Sequence, residues 1–338
     1  MTIKAVHFYL LLLFIPLTTN GAVVLQYHHI DNNTPASTST SVDLIKDHIE
    51  YLINQNYIVI SLPELISKIK KKELFKPNTV AITFDDAYES VYRNAFPLLR
   101  KYELPFTVFI DTAAIEEKRK NHISWHQARE MKTFGATIAN HTHNHSHLIR
   151  HQESFDKWKK RVSNEINQAQ EILKMRLNQN VRIFAYPYGE FDADTLTLVS
   201  ELGYSAFGQH SGALDEHSNL LYLPRFPVPN RFGQFPQLIA KLQSVSFNDV
   251  SFEPMYGLLT NKGQNPPLLT IKGDNKSLKA VNCYGPDGKL IKLQSRNEAA
   301  TFKATKILTT RRFRYNCTKK LDGKNKFSWI SIPFVNPK

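Results

Sequence analysis

Two hydrophobic periods divide this chain. Up to about residue 245, short apolar or β-branched runs alternate with stretches in which apolar residues recur every three or four positions. The runs Val23–Tyr27, Tyr57–Ile60, Val80–Phe84, Phe106–Ile110, Ala136–Ala139, Val181–Tyr186 and Tyr204–Phe207 read as strands. Between the first two, the stretch from Ser41 to Gln55 carries apolar residues at 45, 49, 52 and 53, which is the spacing of one helix face. Ser61 and Glu64 stand at capping-box spacing with Pro63 near the first turn, the start of a second helix. The clearest helix spans 153–177, where Phe155, Trp158, Val162, Ile166, Ala169 and Leu173 form a stripe backed by charge. A further helix, Ala193 to Leu202, stops at Gly203. Such β-α alternation predicts an α/β fold with a parallel sheet, open or closed into a barrel. Its chemistry belongs at the C-terminal ends of the strands.

After about residue 245 the helical period disappears. Short runs such as Leu268–Ile271 and Arg312–Tyr315 are separated by turn signals at Gly273-Asp274-Asn275, Asp287-Gly288 and Asp322-Gly323. The expected organisation is a first domain over 22–245 and a small all-β accessory domain over 246–338. Charge supports the division. Residues 251–338 hold 17 Lys+Arg against 5 Asp+Glu, whereas residues 1–250 hold 26 against 25, so nearly all of the net +13 sits at the C-terminal end. That excess suits an anionic cell-envelope polymer or lipid surface. It would also hold nucleic acid at low salt, although in an exported protein no specific nucleic-acid partner is expected.

The N-terminus sets the compartment. Lys4, the apolar run Phe8–Leu17 and the small residues up to Ala22 read as a signal peptide over 1–21. A membrane anchor is the competing reading, but the run is about half of the roughly 20 residues that a span needs. The expectation is export, to a periplasmic or secreted location, with no transmembrane segment after cleavage. Cys283 and Cys317 then read as a disulfide, with two buried free thiols as the alternative.

Three polar clusters sit where strands end. Asp85-Asp86 follows Ile82-Thr83-Phe84, and two adjacent carboxylates are costly unless a cation or a proton lies between them. One can ligate a metal while the other acts as a general base. His141, His143, His145 and His147 alternate after another strand, and imidazole suits zinc and similar divalent ions. Two His with one carboxylate leave an open position for water, as catalytic zinc sites do. His28 ends the first strand, a position open to a general acid. In Ala185-Tyr186-Pro187-Tyr188-Gly189, Pro and Gly fix a sharp turn whose N–H groups can face an oxyanion.

Taken in order, Thr83-Phe84-Asp85-Asp86, His141-Thr142-His143-Asn144-His145 and Tyr186-Pro187-Tyr188-Gly189 resemble the motifs of the polysaccharide deacetylases, carbohydrate esterase family 4, with the NodB homology domain. The resemblance covers roughly residues 23–230. It implies a distorted (β/α) barrel of the NodB type. It also implies Asp85 as the base, Asp86, His141 and His145 as ligands of a divalent metal, usually zinc, Tyr188 N–H in the oxyanion hole, and Trp125 as an aromatic wall for the sugar. Two departures stand out. The Arg that opens the family's third motif is replaced by Ala185, with Arg225 as the candidate substitute, and no Leu-x-x-His motif closes the domain. Leu25-Gln26-Tyr27-His28 opens it instead, similar to the circularly permuted branch of exported poly-β-1,6-N-acetylglucosamine deacetylases. That branch implies His28 as the acid, with His210 as the rival. The implied activity is metal-dependent hydrolysis of N-acetyl groups on an N-acetylglucosamine polysaccharide. A non-sugar amide hydrolase and a catalytically silent glycan-binding protein are the alternatives.

Overall fold

The computed structural model describes residues 21–259, 265–321 and 326–337. The leader expected at 1–21 lies, apart from Gly21, outside the described residues, and so does the turn expected at Asp322-Gly323.

Eight strands form one curled, wholly parallel sheet, a distorted half-barrel. Its order is Phe226–Pro227, Ala22–Tyr27, Thr79–Phe84, Phe106–Ile110, Ala136–Asn140, Ile183–Ala185 and Ser205–Phe207, with Ile58–Val59 beside the start of Thr79–Phe84. Every residue of Ala22–Tyr27 and Thr79–Phe84 is buried, as near-continuous apolar strands covered on both faces should be. The helices that cover them begin where the capping residues place them. Ser41 accepts from Leu44 N to start Val42–Asn54, and Ser61 accepts from Glu64 N to start Leu62–Lys70. The long helix Phe155–Leu177 buries Trp158, Val162, Ile166, Ala169 and Leu173, the stripe read from the sequence. It ends on Asn178 in the left-handed conformation.

Ser244–Val245 already pairs with Phe327–Ser328 in a second system of sheets. A six-stranded sheet centred on Arg312–Lys320 and Phe327–Val335 packs against a four-stranded sheet centred on Leu269–Gly273 and Ala299–Phe302. Inward residues of both, among them Phe252, Ile271, Phe302, Tyr315 and Phe334, make one core. Cys283 and Cys317 are directly opposed on neighbouring antiparallel strands and form a disulfide inside it. The region is β-rich rather than wholly β, because Asn275–Ala280 is a short helix. Asp274, read as part of a turn, accepts from Lys276 N and Ser277 N and is that helix's N-cap.

The two parts share an interface. Arg311 Nε and Nη2 each donate to the buried Glu190 carboxylate at 2.9 Å, Arg312 donates to Tyr188 O at 3.1 Å, and Arg314 donates to Gln209 O at 2.7 Å. The second unit therefore sits against the loops that follow the parallel strands. No described helix is long and apolar enough to cross a membrane.

Candidate active site

Asp85 and Asp86 leave the end of Thr79–Phe84 in different directions because Asp86 turns at φ 68°. Asp85 is fully buried and held from three sides. Arg225 Nη1 and Nη2 donate to its two oxygens at 2.6 and 2.8 Å, and Gln26 Nε2 donates to Oδ2 at 2.7 Å. Burial pushes the Asp85 carboxyl up, but the charges of Arg225, His141 and His28 outweigh this and hold it below its ordinary value. Arg225 is itself completely buried, with Nε on Gly208 O at 2.9 Å and its guanidinium 5.1 Å from the centre of the Phe109 ring. Its fork matches the carboxylate in the bidentate manner that lysine cannot reproduce. An Arg therefore pairs with Asp85 although Ala185 stands at the motif position, and it reaches there from the opposite edge of the sheet.

Asp86 faces the other way. Its Oδ1 lies 3.3 Å from both His141 Nε2 and His145 Nε2. His141 comes from the end of Ala136–Asn140, and its Nδ1 lies 2.7 Å from Ala185 O. A carbonyl can only accept, so Nδ1 carries a proton and Nε2 is the atom turned to the Asp86 carboxylate. Asp86 Oδ1 and His141 Nε2 are both buried, and neither has a hydrogen-bond partner among the described residues. Two buried acceptors facing each other repel unless a cation or a proton lies between them. Asp86, His141 and His145 offer ligand atoms that all lie within 4.8 Å of one another. Two imidazoles and a carboxylate are the donor set of a catalytic divalent-metal site with an open position. The Ala185 carbonyl fixes the His141 tautomer, as outer partners of metal-bound histidines do.

The turn Pro187–Gly189 closes over this triad. Tyr188 and Gly189 have φ of 59° and 68°, and the Tyr188 ring lies 4.5 Å from His145 and 4.2 Å from His147. His28 Nε2 stands 3.9 Å from Asp85 Oδ2. His28, Asp86, His145 and Tyr188 line one cleft of about 600 Å³, together with Tyr88, Asp111, Arg119, Phe232, Arg312 and Arg314.

The structure thus brings Asp85, Asp86, His141, His145, His28, Tyr188 and Arg225 together. It does not bring Trp125 there: its Nε1 donates to Glu116 at 2.6 Å at the start of Trp125–Thr133, and it does not line the cleft. His210 is buried under Phe191, and burial, Arg314 and Arg225 push its pKa down to about 3. His143 faces Thr112, and His147 faces Glu190.

Sequence reasoning passed over four cleft features. Gln26 is a polar residue inside an apolar strand, which is itself a signal. Asp111 directly follows Phe106–Ile110, as Asp85 follows its own strand. Burial, and then the charge of Asp86, push Asp111 up to about 7. Arg312 and Arg314 come from the second unit, and no local pattern announces that they reach the cleft.

Residues 72–207 match the family described as polysaccharide deacetylase. The chain is 27% identical over 230 residues to poly-β-1,6-N-acetyl-D-glucosamine N-deacetylase of Staphylococcus aureus (strain MRSA252), covering 62% of this chain and 79% of the relative. The deacetylase PplD of Streptococcus pyogenes, solved with acetate, superposes with a TM-score of 0.59 at 27% identity, over 67% of this chain and 99% of that one. IcaB from Ammonifex degensii shares the fold, with a TM-score of 0.58 at 24% identity, over 66% of this chain and 97% of that one. The motifs of the sequence, the parallel half-barrel and these matches agree, and over residues 72–207 the chain carries a match to the polysaccharide deacetylase family.

Proposed function

We propose that this chain hydrolyses the N-acetyl groups of an N-acetylglucosamine-containing polysaccharide and releases acetate. The observation that carries the reading is the pairing of two oppositely prepared carboxylates at one strand end. Asp85 is ionised and fixed by Arg225, and beside it the orphaned Asp86 Oδ1 faces two imidazoles. The family's use of a divalent metal fits that donor set, and zinc is the metal that two His and one Asp favour. Such an ion supplies a Lewis acid that polarises an amide carbonyl and lowers the pKa of water.

The remaining roles fall to the chain's own groups. Asp85 takes the proton of the attacking water, and Arg225 and Gln26 hold its oxygens in place for that transfer. The Tyr188 N–H, at the left-handed turn, donates to the oxyanion as the carbonyl carbon becomes tetrahedral. His28, on the cleft wall beside Asp85, protonates the leaving amine. His28 is preferred to His210 because it lines the cleft and His210 is packed behind it. Tyr88 and Phe232 offer aromatic faces to the sugar in the place expected for Trp125.

Export by a leader at 1–21 and the division into 22–245 and 246–338 belong to this reading, as does an anionic partner for the basic second unit. The relative of Staphylococcus aureus carries the name of a poly-β-1,6-N-acetylglucosamine deacetylase, and that polymer is the first substrate to try. Acetate release should be compared on β-1,6-linked and β-1,4-linked N-acetylglucosamine oligomers, on peptidoglycan and on small N-acetylated amides. Release from one of the glycans well above the small amides supports the proposal. Release from the small amides alone would replace it with a non-sugar amide hydrolase.

A further inference from the structure

A second cavity, of about 1050 Å³, lies between the two units and shares Pro227, Phe232, Arg312 and Arg314 with the cleft. The two spaces are therefore neighbours that share a wall. The wall of the second one is unusual in its charges. Lys241 is 5% exposed, and its Nζ donates to two backbone carbonyls, those of Pro227 and Phe232. Arg314 donates to Gln209 O. Neither has a carboxylate partner among the described residues. Arg231, Lys306 and Arg312 line the same space, against one carboxylate, Asp287. Trp329 lines it too, and its buried Nε1 has no hydrogen-bond partner among the described residues.

A cation held away from water without a counter-ion is costly; burial pushes the Lys241 amine down to about 7, whereas the half-buried Arg314 guanidinium cannot shed its charge. The ordinary outcome is a paired carboxylate from the protein. Among the described residues only carbonyl oxygens accept from Lys241 and Arg314, and an amine, a guanidinium and an indole N–H border a space large enough for a sugar unit. A ligand oxyanion would complete all three. It would do so next to the reacting centre, because Arg314 borders both spaces.

We propose that this cavity is a subsite for an oxyanion carried by the glycan itself, so that the preferred substrate is an acidic N-acetylated polysaccharide with a carboxylate near the acetylated unit. This rests on the deacetylase reading and narrows it. Lys241, Arg314 and Trp329 hold the anion, and Arg312, stacked 5.2 Å over the Tyr188 ring, joins that subsite to the catalytic turn.

The test compares two substrates that differ in one group: N-acetylglucosamine oligomers, and the same oligomers with primary hydroxyls oxidised to carboxylates. The metal-loaded full chain should show a kcat/KM ratio of acidic to neutral oligomer of about ten or more. Arg314→Gln and, separately, Lys241→Met should each bring that ratio toward one. Calorimetric titration of the Asp85→Asn protein with both oligomers reads binding without turnover, with inorganic phosphate as a third ligand. Tighter binding of the acidic oligomer, lost in the Asp85→Asn/Arg314→Gln double variant, supports the subsite even if neither oligomer is turned over, which would count against the deacetylase reading alone. Acetate release with equal kcat/KM for the two oligomers would overturn the subsite and leave the deacetylase standing. A preference that survives both variants would overturn it as well. Phosphate binding without any preference for the acidic oligomer would show a site for free anions instead.

Discussion

At the scale of single residues, the account turns on Asp85 being held rather than free. Its two oxygens meet three donors, two of them on one buried guanidinium. Replacing Arg225 with Met leaves a buried carboxylate without its counter-charge. The expected result is a loss of roughly 3–5 kcal/mol of stability and about a hundred-fold fall in kcat, with bound metal retained. Arg225→Lys should recover charge but not the fork, and fall between the two. Thermal unfolding, steady-state kinetics and metal content check this together. Unchanged kcat in Arg225→Met would remove Arg225 from the site. The same residue shows how far the sequence reaches. Asp85, Asp86, His141 and His145 could be read because each stands at a strand end in a dense polar cluster. Arg225 could be proposed only from a vacancy at Ala185, since its partner lies 140 residues away. Gln26 and the Ala185 carbonyl were not found, because a single buried amide and a backbone oxygen leave almost no pattern in a chain.

At the scale of elements, the helices that the sequence revealed were those with long apolar stripes or clear caps. Trp125–Thr133 buries only Ala128 and Met131, so its stripe is too thin to see, although its Ser124–Gln127 capping box is complete. The Val42–Asn54 helix carries a more telling residue. His48 is fully buried, with Nε2 2.6 Å from Gly233 O and Nδ1 2.9 Å from Tyr27 Oη. One neutral tautomer satisfies both, donating from Nε2 and accepting at Nδ1. Burial is the main reason that its pKa falls to about 4. The unfolded chain then takes up a proton near pH 6.5 that the folded chain refuses until about pH 4. More protons on the unfolded state mean that stability falls as pH drops through that window, by at most about 1.4 kcal/mol per pH unit. Denaturant titrations between pH 7 and pH 4 should show this slope, and His48→Gln should flatten it. An equal slope in the variant would assign the effect to other groups.

At the scale of the whole molecule, the parallel sheet and the basic, cysteine-paired second unit were legible from period and charge. Their mutual placement was not, because contacts between distant segments leave no periodic trace. That placement makes the second unit part of the cleft, through Arg311 on Glu190, Arg312 on Tyr188 O and Arg314 on Gln209 O. The disulfide stabilises this unit by closing a loop across a separation of 34 residues. Cys283→Ser with Cys317→Ser should cost about 3–4 kcal/mol of its stability. If the second unit only decorates the enzyme, the double variant will melt earlier but keep its kcat/KM at temperatures where it is folded. If the unit builds the cleft, kcat/KM on oligomers will fall as the unit loosens.

The central claim is that Asp85 is the base of a metal-dependent N-deacetylase. Acetate release from N-acetylglucosamine oligomers tests it most directly, measured on the full chain as prepared, after chelation, after restoring zinc, and for Asp85→Asn with its metal content determined in parallel. The account predicts release that chelator abolishes and zinc restores, and a variant that binds metal as the parent does but releases less than about one-hundredth of the acetate. Release that persists in chelator, or an Asp85→Asn variant as active as the parent, would contradict it.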